Sequence, residues 1–223
     1  MQANNFIKFL ALILFGVLAG VVSSYFAFKN SSVSQVINKE EKIYVEENTV
    51  LTSKIKEVKD AVVGIKSGNI TGSGLIVTSD GLIVTLASNV PTGSGADIII
   101  NGEENIPYQI LKRDMNSNLA LVKVDKNNLL TRGFFDLSQL EEGKRVFLIS
   151  KPYLNGKFLL SANEGIVKSF DENNIVTNMF EAGRVDGAPV FDIEGNILGL
   201  SYKDAENIVN VIPVSTIKSF VGL

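Results

Sequence analysis

The sequence predicts an all-β chain with short helices at either end, built from two consecutive series of antiparallel strands and preceded by one membrane-spanning helix. Three observations predict this. From Val62 onward the apolar runs are short and β-branched, and Gly, Asp and Asn turns divide them. The runs form two series of similar length and element count, with a break near Arg132-Gly133. Near the amino end, Phe9 to Phe28 form an uncharged stretch between Lys8 and Lys29, and as a helix that stretch matches a hydrocarbon core about 30 Å thick.

In chain order, residues 1–8 are a short tail and residues 9–28 an anchor. A cleaved signal peptide is the competing reading of this stretch. However, its apolar length exceeds the usual h-region of roughly 7–15 residues, and no clear A-x-A-like site follows. Gly16 and Gly20 form a GxxxG that would let two such helices pack closely. Residues 29–47 turn polar and mixed in charge and read as a linker. Glu46 to Lys59 has Val50, Leu51, Ile55 and Val58 at three and four spacing, with Asn48 as a cap, which predicts an amphipathic helix leading into the first barrel, residues 48–133.

That barrel takes six strands: Val62 to Lys66, Gly74 to Thr78, Leu82 to Leu86, Asp97 to Asn101, Tyr108 to Leu111 and Leu119 to Val124. Asp80-Gly81 closes a hairpin within the set. The second barrel, residues 134–223, takes Arg145 to Ser150, Phe158 to Ser161, Gly165 to Phe170, Ile175 to Asn178, Ala188 to Asp192, Ile197 to Tyr202 and Asn207 to Ile212. Pro213 then opens a terminal helix.

Composition excludes several functions. The net charge of −3 and the lack of any Lys/Arg cluster leave no footprint for nucleic acid. With no cysteine there is neither a disulfide framework nor a thiolate metal site. The chain also has no histidine, so the usual general base at neutral pH and the commonest metal ligand are both missing. No cofactor or metal is expected.

The stretch from Thr177 to Tyr202 organises the rest. Its second half is a strand, a Glu194-Gly195-Asn196 turn and a strand. Its first half, Glu181 to Gly187, has two glycines and three charges in seven residues and reads as an exposed, shaped loop. GAPVFDIEGNILGL at 187–200 resembles the block that follows the nucleophile in HtrA/Deg-type trypsin-like serine proteases. Other blocks fall in the same order: VKDAVVGI at 58–65, TGSGLIVTSDGLIVT at 71–85, LEEGKRVFLISKPY at 140–153, EGIVKSF at 164–170 and VIPVSTIKSFV at 211–221. The resemblance covers most of Val58 to Val221. It implies a chymotrypsin/trypsin-like double β-barrel lying outside the cytoplasm. No peptide-binding PDZ module is expected after Leu223.

Carried over residue by residue, the resemblance places Ser88 at the general-base position, Asn118 where an aspartate orients the imidazolium, and Asp186 at the nucleophile. A hydroxyl cannot take a proton at pH 7, and an amide in place of the orienting aspartate favours the wrong imidazole tautomer. The oxyanion-hole amides map to Arg184 and Asp186, and a carboxylate there repels a developing oxyanion. Loss of a triad removes about 10⁶-fold in rate, roughly 8 kcal/mol of transition-state stabilisation.

Rebuilt chemistry fares poorly. A carboxylate is a weak base for serine. An aspartic dyad needs a second carboxylate, and nothing in the sequence nominates a lysine for Ser88. An all-oxygen metal site would draw on Asp186, Glu181 and Asp192, but Asp192 and Glu194 fit a solvated hairpin better. In the bland reading Ser88 and Asn118 are polar fillers that hydrogen-bond one another, and Arg184 pairs with Asp186 or Glu181 to hold the loop. The expectation is a membrane-anchored, catalytically inactive HtrA-like protein that binds protein or peptide ligands at a sheet edge. Its rivals are an active endopeptidase with an unrecognised mechanism and a structural tether.

Overall fold

The computed structural model describes residues 16–26, 50–92, 97–100, 102 and 106–223. The chain divides into residues 1–50 and residues 51–223. In the first unit residues 16–26 are helical, inside the stretch expected to be an anchor, and Val17, Leu18, Val21 and Phe26 are exposed. The remainder of Phe9 to Phe28, and the linker, lie outside the described residues. Among the described residues no helix is long and apolar enough to cross a membrane.

Helix α1 runs over residues 50–58, and the second unit begins within it at Leu51. A six-stranded antiparallel sheet follows, formed by β1 (Val62–Ser67), β2 (Ile70–Ile76), β3 (Leu82–Leu86), β4 (Asp97–Ile99), β5 (Tyr108–Asp114) and β6 (Leu119–Val124), in the order β4-β1-β2-β3-β6-β5. Its two ends approach one another where Ile106 N donates to Ile98 O at 3.4 Å.

Next come β7 (Arg145–Ser150), β8 (Tyr153–Leu154), β9 (Lys157–Phe158), β10 (Ser161–Phe170), β11 (Ile175–Phe180), β12 (Pro189–Asp192), β13 (Ile197–Lys203), β14 (Ile208–Pro213) and helix α2 (Val214–Val221). Six of these strands close into a barrel ordered β10-β11-β14-β13-β12-β7, and β8-β9 is a separate hairpin. The expected strand Phe158 to Ser161 is therefore not one strand. Phe158 pairs with Tyr153 in the hairpin, and Ser161 begins β10.

Strand alternation explains how the two sheets share one interior. Successive side chains point to opposite faces. Val62 enters a cluster common to both sheets, while its neighbour Val63 enters a core belonging to the first sheet alone. Phe147 and Leu148 divide the same way in the second barrel. In the shared cluster, Leu75, Leu86 and Leu119 of the first sheet meet Phe147 and Phe191 of the second, whose rings stack with centroids 5.4 Å apart. Val58 of α1 and Ile217 of α2 complete it, so both terminal helices are held against the junction. Leu51 and Ile55, on the apolar stripe read from the sequence, pack on the same cluster.

Asp192 departs from expectation. It is 1% exposed instead of solvated, because its carboxylate organises the β12–β13 turn. Oδ1 accepts from Glu194 N at 3.1 Å and Asn196 N at 2.8 Å, and Oδ2 accepts from Asn196 Nδ2 at 3.1 Å. These bonds satisfy a buried carboxylate that would otherwise be costly to desolvate.

Candidate functional site

Ser88 lies in the 3₁₀ turn Ala87–Asn89 that follows β3. Asn118 ends the turn before β6, with a left-handed backbone of φ 51° that asparagine tolerates better than most residues. The two hydrogen-bond one another, through the main chain of Ser88. The backbone N–H of Ser88 donates to Asn118 Oδ1 at 3.1 Å, and Ala87 N donates to Asn118 O at 2.9 Å. The side-chain acceptor that would orient a histidine is thus engaged in holding the main chain.

Asp186 approaches the same turn from the second barrel, through its backbone. Asp186 O accepts from Ser73 N at 3.0 Å and from Asn89 Nδ2 at 2.9 Å. Asn89 is 2% exposed, and its amide also donates to Thr85 Oγ1 at 3.0 Å, while Thr85 Oγ1 donates to Ser73 O at 2.6 Å. A buried chain of polar groups therefore links β2, β3 and the loop before β12. Satisfied networks of this kind hold a unique geometry. Reading the sequence for triad positions passes over Asn89, and its only signal is an amide at the position where the family pattern has valine.

The loop itself turns at Val185–Ala188, with Ala188 N donating to Val185 O at 2.9 Å and Gly187 at φ 79°. A Cβ on Gly187 would stand 2.4 Å from Ser73 O and 2.7 Å from Asn89 Nδ2, so glycine is required by both conformation and space. Arg184 does not pair with Asp186 or Glu181 as expected. Its guanidinium reaches the first sheet and donates to Asn69 O at 2.9 Å. Glu181 instead accepts from Gly183 N at 2.9 Å and from Asn163 Nδ2 at 3.2 Å. Lys203 Nζ donates to the Glu181 and Gly183 carbonyls, at 3.1 and 2.7 Å, and to Asn207 Oδ1 at 3.2 Å. Thus the carboxylates suggested for an oxygen-ligand site, Glu181 and Asp192, are each engaged in shaping a turn.

β13 borders this junction, paired with β12 on one side and β14 on the other, and only its last residue, Lys203, runs past the bonding on the β12 side. Ser201 N donates to Ala188 O, and Ser201 O accepts from Gly187 N, each at 2.8 Å, which turns Ser201 away from β14. Ladder bonds alternate along a strand, so the N–H and C=O of Lys203 point the same way, past the end of the pairing with β12. Beside this end of β13 a cleft of about 550 Å³ opens between the barrels, lined by Asp114, Asn118, Asn173 and Tyr202 among others.

A family model described as trypsin-like peptidase domain matches residues 72–200. A protein of Halomonas elongata, named a DegP-like periplasmic serine endoprotease, is 24% identical over 135 residues, 58% of this chain and 28% of the relative. One of Hahella chejuensis with the same name is 29% identical over 149 residues, 62% of this chain and 30% of the relative. The chain thus spans under a third of the length of these relatives. Among solved structures, the crystal structure of Deg5 superimposes with a TM-score of 0.69 at 20% identity, covering 79% of this chain and 94% of that one. This likeness supports the double-barrel fold.

Proposed function

Because the chain belongs to the trypsin-like peptidase domain family, on its HtrA/Deg-type branch, we propose that it is a catalytically inactive member that binds extended peptide segments of other proteins at the barrel junction. The observation that carries this reading is the occupancy of the junction. Ser88, Asn118 and the Asp186 main chain converge there, yet the chain contains no histidine and the Asn118 amide stands where a carboxylate would be needed. No group at these positions takes a proton from a nucleophile near neutral pH. The main-chain groups of Lys203, which run past the end of β12, support binding without cleavage, since an extended segment adds to such groups through main-chain hydrogen bonds. The periplasmic naming of the relatives supports an extracytoplasmic domain, and the uncharged run Phe9 to Phe28 supports an uncleaved membrane anchor.

The test uses the full-length chain in mild detergent, mixed with unfolded β-casein. The expected result is co-elution of the two on size exclusion with the casein mass intact after prolonged incubation. Casein that elutes wholly apart from the protein contradicts the binding reading.

A further inference from the structure

The cleft beside β13 also carries information about which side chain a bound segment presents. This inference rests on the strand-addition reading above. Tyr202 precedes Lys203 on β13, and its side chain lines the cleft. A strand laid along the main-chain groups of Lys203 places the residue opposite Tyr202 on the same face as the Tyr202 ring. That residue's side chain therefore enters the cleft.

Carboxylates dominate the charges around the ring, although Lys112 is close enough to Asp114 to attract it electrostatically. Asp114 lines the cleft from the first sheet, and hydrogen bonds from Asn116 N and the Ser117 hydroxyl, at 2.9 and 2.8 Å, hold its carboxyl below the usual range. It is therefore ionised at neutral pH. Behind the ring, burial followed by the carboxylates of Asp204 and Asp171 pushes the Tyr202 phenol up, and its hydroxyl donates to Asn174 Oδ1 at 3.1 Å. The nearby cations have other partners. Lys112 Nζ donates to Phe220 O at 2.9 Å and lies over the Phe220 ring, and Arg113 Nε donates to Ala87 O at 3.2 Å. Lys203 Nζ is held by the loop carbonyls.

We propose that this cleft selects segments carrying an arginine or lysine opposite Tyr202, with the cation over the Tyr202 ring and its head toward Asp114. An aromatic face attracts a cation, and an open cleft leaves the pair partly hydrated. The preference is accordingly modest and sensitive to salt.

The experiment measures anisotropy of three end-capped, fluorescein-labelled hexapeptides that alternate valine with arginine, glutamine or glutamate. Alternation presents the same side chain on one face at every second position, so the result does not depend on register. Titrated with the full-length chain in mild detergent, the arginine peptide should bind about five- to tenfold tighter than the glutamine peptide, with the glutamate peptide weakest. The difference should shrink toward nothing near 1 M salt, where the Debye length is about 3 Å. Asp114→Asn keeps a turn-capping oxygen and should bring the arginine and glutamine peptides within about twofold of each other. Equal binding of all three peptides to the native chain, or a preference that salt leaves unchanged, overturns the proposal and leaves strand addition standing. Failure of all three to bind overturns strand addition itself.

Discussion

Lys151 carries its amine into the junction between the barrels, where Nζ donates to Val62 O at 2.5 Å. Burial, opposed by attraction from Asp60, lowers its pKa from 10.5 to about 8. The unfolded chain therefore binds the Lys151 proton more tightly than the folded one, and folded stability rises with pH between about 8 and 10.5. Below that window the full penalty of burying the charge applies, roughly 3 kcal/mol from the size of the shift. Chemical denaturation of native chain and Lys151→Met across pH 7 to 10.5 should show the native protein gaining on the variant by about that amount. A stability difference that stays flat with pH contradicts this. Residues such as Lys151 and Asn89 were illegible in the sequence because their roles come from the opposite barrel, and no local pattern marks a side chain for a partner dozens of positions away. Ser88, Asn118 and Asp186 were singled out through their flanking blocks, which are locally distinctive. Their hydrogen bonds were not legible, because Asn118 meets a main-chain N–H and Asp186 contributes a carbonyl.

Among the elements, the turn Val185–Ala188 bears most directly on the site. It places the Asp186 carbonyl on Ser73 N and Asn89 Nδ2 while Gly187 N anchors to Ser201 O. Gly187→Ala adds a left-handed alanine and a methyl 2.4 Å from Ser73 O, so it should destabilise the fold by about 2–4 kcal/mol and weaken casein capture with it. Thermal unfolding and the co-elution assay check both effects, and an alanine variant as stable as the native chain would show that the turn is not so constrained. The hairpins were legible where turn chemistry is strong. Asp80-Gly81 and Gly195, at φ 89°, mark real turns, and the flanking strands were read to within a residue or two except β2, which begins at Ile70, four residues before the expected Gly74. The β8–β9 hairpin was missed although Asn155-Gly156 marks its turn, because strands of two residues have no alternation to read. The burial of Asp192 was missed for a related reason, since its sequence shows a charged turn whereas its carboxylate faces inward onto its own loop.

At the scale of the whole molecule, the two strand series were visible as spacing, and the trypsin-like arrangement was visible as blocks in order. The junction was not visible, because strands such as β1 and β7, buried on both faces, read as continuous apolar runs that do not say which face meets the other barrel. That junction is where the fold and the proposed inactivity meet. The shared cluster and the Asn89 chain fix the geometry of the cleft independently of the groups at Ser88, Asn118 and Asp186. The most direct test is the rate of β-casein hydrolysis by the full-length chain, by Asp186→Ser, and by the triple variant Ser88→His, Asn118→Asp, Asp186→Ser. The account predicts background rates for the first two and measurable hydrolysis by the triple variant, which regains base, orienting carboxylate and nucleophile together. Cleavage by the unsubstituted chain that disappears on Ser88→Ala or Asp186→Ala would contradict it.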